Sequence, residues 1–147
     1  MRIECFEKID RVDGQQWADT ISLDFADRSR SRGKALTDKG CELAWFLERG
    51  ESLHHGNALR DAKGCFYLVK AEPEPVSVVT AESVQLLMRV AYHLGNRHLS
   101  LQLLPDRLMF QPDHVIDDMV MGLGAQVSHD IVAFQPEHGA YHEHGHE

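Results

Sequence analysis

Imidazole is the side chain most able to do chemistry in this 147-residue chain, and its histidines fall into two telling groups. His93 and His98 lie in Tyr92-His93-Leu94-Gly95-Asn96-Arg97-His98, and His142, His144 and His146 lie in Gly139-Ala140-Tyr141-His142-Glu143-His144-Gly145-His146. Neutral imidazole is the commonest protein ligand for borderline transition metals. The i, i+2, i+4 spacing lets the tail rings fold back around one ion, and the interleaved Glu143 and Gly145 set it apart from an uninterrupted affinity tag. These residues point to a protein that holds a divalent metal and releases it. Imidazole with carboxylate suits Ni(II), Cu(II) or Zn(II), and ligand type alone does not choose among them.

Each remaining histidine has a plain reading beside a functional one. His98 is expected to open a strand, sharing its polar face with Ser100 and Gln102, where a ring is ordinarily just solvated. In a two-fold dimer, however, one His near the axis becomes a pair, with coordination positions left open for exchange. His93, off the apolar stripe of its helix, is either a group behind the metal or a helix C-terminal cation. His114 follows Asp113, the expected N-cap of its helix, and the helix dipole there keeps an imidazole neutral and able to ligate. A surface His at a helix start is the equal alternative. His54, His55, His129 and His138 read as surface residues, although His138 could join the tail.

The elements that position these residues are legible as a change of pattern. Up to about residue 70 the chain reads as short strands between turns: Ile21, Leu23 and Phe25 alternate with Ser22 and Asp24, and Cys65 to Val69 is a further strand. Arg28, Arg30, Arg32 and Lys34 fall on one face if that segment is extended. Ala71-Glu72-Pro73-Glu74-Pro75 reads as a stiff connection. A strand at Val76–Val79 follows, then a helix with Val84, Leu87, Met88 and Ala91 as its stripe and Gly95 as its left-handed stop. Leu99, Leu101 and Leu103 alternate as a strand, and Leu108 to Phe110 runs back. A second helix carries Ile116, Met119, Val120 and Leu123 and ends at Gly124, before a last strand over Val127–Phe134. The order β-α-β-β-α-β is that of a ferredoxin-like unit. The expected fold is therefore α+β: a small all-β domain over 1–72, a ferredoxin-like domain over 73–136, and a disordered His-containing tail over 137–147.

Composition narrows the function. A formal charge of −8 argues against general nucleic-acid binding and would gather cations instead. No apolar run approaches the ~18 residues of a membrane helix, and the N-terminus lacks a signal-peptide core, so a cytoplasmic protein is expected. Cys5, Cys41 and Cys65 form no Cys-x-x-Cys pair, fit a reducing compartment, and read as small buried apolar side chains. No P-loop, Gly-x-Ser-x-Gly, dinucleotide fingerprint or His-Glu-x-x-His occurs. A metal-dependent hydrolase built on His93, His98 and His114 is the enzymatic alternative, but without a three-ligand zinc spacing the chain is not expected to be an enzyme.

Along its whole length the chain resembles the urease accessory nickel metallochaperone family, UreE. The resemblance runs through Asp27-Arg28-Ser29-Arg30-Ser31-Arg32-Gly33, Phe46-Leu47-Glu48-Arg49-Gly50, and Val69-Lys70-Ala71-Glu72-Pro73-Glu74. It continues through Ala91 to His98, Asp113-His114-Val115, Gly122-Leu123-Gly124-Ala125 and Phe134-Gln135-Pro136-Glu137 to the His tail. The Gly-Asn-Arg-His block is its most specific part. It implies a homodimer that delivers Ni(II) to urease apoprotein in a complex with other accessory proteins, including a GTPase. By position, His98 matches the interface nickel ligand shared between protomers, His114 a peripheral ligand of some members, and the tail a variable metal-collecting end. Pro112 stands where some members carry a further His, and the tail is short. The family's N-terminal domain is thought to contact partners, so Arg28, Arg30, Arg32 and Lys34 are candidates for that surface, with a charged strand edge that discourages aggregation as the alternative. A metal buffer acting through the tail is the alternative function.

Overall fold

A computed structural model describes residues 2–10 and 16–137, and the chain divides into two compact units, Met1–Glu72 and Pro73–Glu147. The first is a β domain with one helical turn. Its elements are β1 (Ile3–Ile9), β2 (Asp19–Leu23), α1 (Phe25–Arg28), β3 (Arg32–Leu36), β4 (Glu42–Phe46), β5 (Ala58–Asp61) and β6 (Phe66–Ala71). They form one six-stranded sheet in the order β2-β6-β5-β1-β4-β3, with β1–β4 and β2–β6 parallel. Period-2 alternation sends Ile21, Leu23, Leu43, Trp45, Leu59, Tyr67 and Val69 into one core. Burial of that many large side chains, each contributing roughly 1.5–3 kcal/mol, is what holds so short a sheet around one core. Trp45 is fully buried, and its indole N–H donates to the Arg30 carbonyl at 3.0 Å. Opposite it on β3 stands Gly33, where an added Cβ would lie 2.4 Å from the Trp45 ring.

Two expectations fail in this unit. The basic segment is not one extended face, because Asp24 caps α1 by accepting the Asp27 N–H at 2.9 Å and turns the chain before β3. Arg28 is consequently buried: its Nε donates to the Leu23 carbonyl at 3.0 Å and its guanidinium lies 5.8 Å from the Phe25 ring centre. Of the cysteines, only Cys5 is buried, and Cys41 and Cys65 are exposed. Burial pushes the Cys5 thiol up to about 12, so it stays protonated and inert at neutral pH.

The second unit comprises β7 (Pro73–Thr80), α2 (Val84–Asn96), β8 (Gln102–Leu103), β9 (Leu108–Phe110), α3 (His114–Gly122) and β10 (Gln126–Ala133). Its antiparallel sheet has the order β10-β7-β9-β8, which with the connectivity β-α-β-β-α-β is the ferredoxin-like arrangement. Val79, Leu87, Val90, Leu94, Leu108, Phe110, Ile116 and Val120 make its core. Pro73 and Pro75 do not lie in a connector; they open β7, paired with Ala133 and Ile131 of β10. Strand β9 reaches only Ser77 to Val79, so at the prolines β7 has a neighbour on one side, and a residue lacking an N–H is tolerated there. No helix among the described residues is long and apolar enough to cross a membrane.

Candidate metal centre

Helix α2 starts where Ser83 accepts the Leu86 N–H at 3.1 Å and packs Leu87, Val90 and Leu94 inward. That places the buried stripe about a quarter-turn from the expected one. Val84 and Met88, expected inside, are exposed, and with Tyr92 they form an outward apolar row at i, i+4, i+8, each roughly two-thirds or more solvent-exposed. The row leads to the C-terminal end of α2, where His98 sits.

The helix does not stop at Gly95. It runs on to Asn96, with Arg97 as its C-cap, and the left-handed residue is His98, at φ 59°. The His98 N–H donates to the Gly95 carbonyl at 2.9 Å and the Leu99 N–H reaches the Leu94 carbonyl at 3.4 Å, while Leu94 and Leu99 both join the core. This is a Schellman motif with histidine in the slot that usually holds glycine. An L-residue there costs roughly 1–2 kcal/mol. His98 does not open a strand, since β8 contains only Gln102 and Leu103; the ring leaves an exposed turn instead. Leu101 is buried as the alternation requires, whereas Leu103 is exposed.

The other candidates are spread over the unit. His93, half-buried on α2, sets its ring edge-on to Tyr92 with centroids 5.3 Å apart. His114 is exposed at the first position of α3, whose cap is Asp113: that carboxylate accepts the Val115 and Ile116 N–H groups at 2.9 and 3.3 Å. His142, His144 and His146, with His138, lie outside the described residues. Among the described residues no group of three or more His, Cys, Asp or Glu side chains is placed to hold an ion. A site built from the described residues of one chain alone therefore offers at most two such ligands, and the rest of a coordination shell must come from elsewhere.

Matches to known families agree with this architecture. Residues 4–72 match the family model described as the UreE urease accessory protein, N-terminal domain, and residues 74–147 match its C-terminal domain. The chain belongs to the UreE urease accessory protein family. It is 46% identical over 142 residues to the urease accessory protein UreE of Saccharophagus degradans, covering 95% of this chain and 84% of that one. To the UreE of Teredinibacter turnerae it is 44% identical over 140 residues, covering 95% and 91%. To that of Pseudomonas putida strain GB-1 it is 48% identical over 130 residues, covering 86% and 79%. A UreE protein serves the maturation of urease; it is an accessory protein and not an enzyme.

Within this UreE chain one histidine pairing was not foreseen from the sequence. His129 of β10, read as a solvated ring, has its Nε2 2.8 Å from Oδ2 of Asp117 on α3. Nothing in the local pattern marks it, because its partner is 12 residues away on another element. His54 and His55 also have partners: the His54 ring stands 3.4 Å from the Ser52 hydroxyl, and His55 Nδ1 accepts the Ala71 N–H at 3.0 Å.

Proposed function

We propose that this chain is a cytoplasmic nickel metallochaperone that carries Ni(II) as cargo and delivers it to urease apoprotein, in a complex that includes an accessory GTPase. The observation that carries this reading is the pairing, on one helix, of an outward apolar row with a strained terminal histidine. Val84, Met88 and Tyr92 leave a hydrophobic face that a second copy would cover, and His98 lies where that face ends. Across a two-fold axis the two His98 rings meet, giving a site with two imidazoles and positions left open for exchange. Ring nitrogens bind Ni(II) tightly enough to collect it, and a site with few fixed ligands gives it up to a better one. His93 and His114 serve as subsidiary ligands, and the tail histidines His142, His144 and His146 gather ions. Zn(II) and Cu(II) compete for the same nitrogens. Arg30, Arg32 and Lys34 are exposed and form the partner-facing surface; Arg28, buried, is withdrawn from it.

A second reading, a metal buffer working through the tail, is favoured by the lack of any three-ligand cluster among the described residues. Nickel titration by calorimetry with mass by light scattering separates the two, on the wild type, on His98→Ala and on a chain ending at Gly139. One tight ion per dimer that disappears only in His98→Ala supports the carrier. A tight event that survives His98→Ala and vanishes with the tail makes the protein a tethered chelator.

A further inference from the structure

Two buried side-chain polar atoms among the described residues have no hydrogen-bond partner, Ser77 Oγ and Asp117 Oδ1. Both flank the same imidazole. Ser77 of β7 is the cross-strand partner of His129 in β10, so the two side chains leave the same side of the sheet. That is the side of α3, since Asp117 Oδ2 meets His129 Nε2 at 2.8 Å. Asp117 is only 7% exposed, whereas the His129 side chain is 62% exposed. A buried carboxylate with one oxygen unpartnered is expensive unless positive charge compensates it, and buried polar atoms left alone commonly mark the place of an ion or water.

We propose that His129 and Asp117 form a second, separate divalent-metal site, with His129 Nε2 and the Asp117 carboxylate as its two protein ligands. Ligands roughly 2.0–2.2 Å from one ion and adjacent in its coordination shell stand about 3–3.5 Å apart, so this pair, hydrogen-bonded at 2.8 Å, needs to open only by some tenths of an ångström to take an ion in place of the shared proton. The exposed ring gives the ion access from solvent, and the ion brings fixed positive charge beside a buried carboxylate whose Oδ1 has no partner. Water completes the shell, and the Ser77 hydroxyl is the neighbouring group able to hydrogen-bond within the cluster. On binding, the neutral ring carries its single proton on Nδ1; an imidazolium would release one proton to solvent. Two protein ligands, one of each type, select borderline divalent ions and exchange them readily. The site does not involve His98 and is independent of any dimer.

Zn(II), which is diamagnetic, is the probe. In the full-length chain labelled with 15N-histidine, ring-nitrogen spectra read each histidine separately during a zinc titration. The expected result is that His129 Nε2 moves to a metal-bound position, in the wild type and in His98→Ala alike. Asp117→Asn keeps the shape and a hydrogen-bonding group but removes the anionic ligand, and should raise the zinc concentration needed for the His129 response at least tenfold. Were Asp117→Asn to unfold, His129→Gln should bind one zinc fewer per chain in equilibrium dialysis. A His129 signal that keeps its metal-free position while the other histidines saturate overturns the site. So does an unchanged midpoint in Asp117→Asn, or unchanged stoichiometry in His129→Gln.

Discussion

Helices α2 and α3 end in the same hydrogen-bonded motif built from different residues. At the end of α3 the left-handed slot holds Gly124, at φ 102°, with the Gly124 N–H on the Met121 carbonyl at 3.0 Å and the Ala125 N–H on the Val120 carbonyl at 3.4 Å. At the end of α2 the equivalent bonds surround His98, at φ 59°. Glycine takes that conformation at little cost, whereas histidine is strained in it. One helix end is therefore built for stability alone, while the other accepts strain and carries an exposed imidazole beyond an exposed apolar row. Backbone strain of this kind clusters at working sites, which supports the role proposed for His98.

The contrast breaks first at the apolar row. If the proposed dimer forms through this row, Met88→Glu on α2 should leave a monomer by light scattering and remove the proposed tight nickel event with it. The same charge at exposed Leu36 on β3 should leave the mass unchanged. A dimeric Met88→Glu protein would move the interface elsewhere. Exchanging the strained residue comes next. His98→Gly should lose at least a hundredfold in tight nickel affinity by calorimetry and yet gain about 1 kcal/mol in denaturant unfolding, because glycine relieves the left-handed strain. Gly124→Ala should do the reverse, losing about 1 kcal/mol while nickel binding stays put.

The arginines sharpen the same division between a group buried in the fold and one left exposed for the proposed partner surface. Arg28→Ala removes a buried guanidinium from the Leu23 carbonyl and should cost about 1–3 kcal/mol in unfolding free energy. Arg32→Ala, at an exposed position, should stay within about 0.5 kcal/mol. The smallest effect concerns acid. Asp38 is held below the ordinary carboxylate range first by the Thr20 hydroxyl, and further by Ser22 and Lys70, against an opposing effect of burial. A depressed folded value means this contribution is complete above the unfolded pKa of about 3.9 and is lost as pH falls through the folded value. Asp38→Asn should therefore flatten the stability curve below about pH 4, by well under 1 kcal/mol because the group is mostly exposed.

What is encoded locally was readable from the residues alone. The β-α-β-β-α-β order follows from hydrophobic periods of 2 and 3.6. The cap at Asp113 and the stop at Gly124 follow from side chains that bond their own backbone or tolerate positive φ. The family follows from blocks such as Gly95-Asn96-Arg97-His98. Other features depend on how elements rotate and register against each other, which no short window contains. Val84 and Met88 satisfy a helical stripe as well as Val90 and Leu94 do, and only the docking of α2 on its sheet decides which face is covered. Gly95 was the natural stop by residue type, yet the helix runs on to Asn96, and the Leu99 N–H bond back to the Leu94 carbonyl closes the turn with His98, not Gly95, in the left-handed slot. Arg28 is inside because α1 turns the chain there, and His129 meets Asp117 because strand register and helix rotation bring them together. Backbone preferences act within a few residues, whereas burial and side-chain pairing across elements are settled only when the core closes.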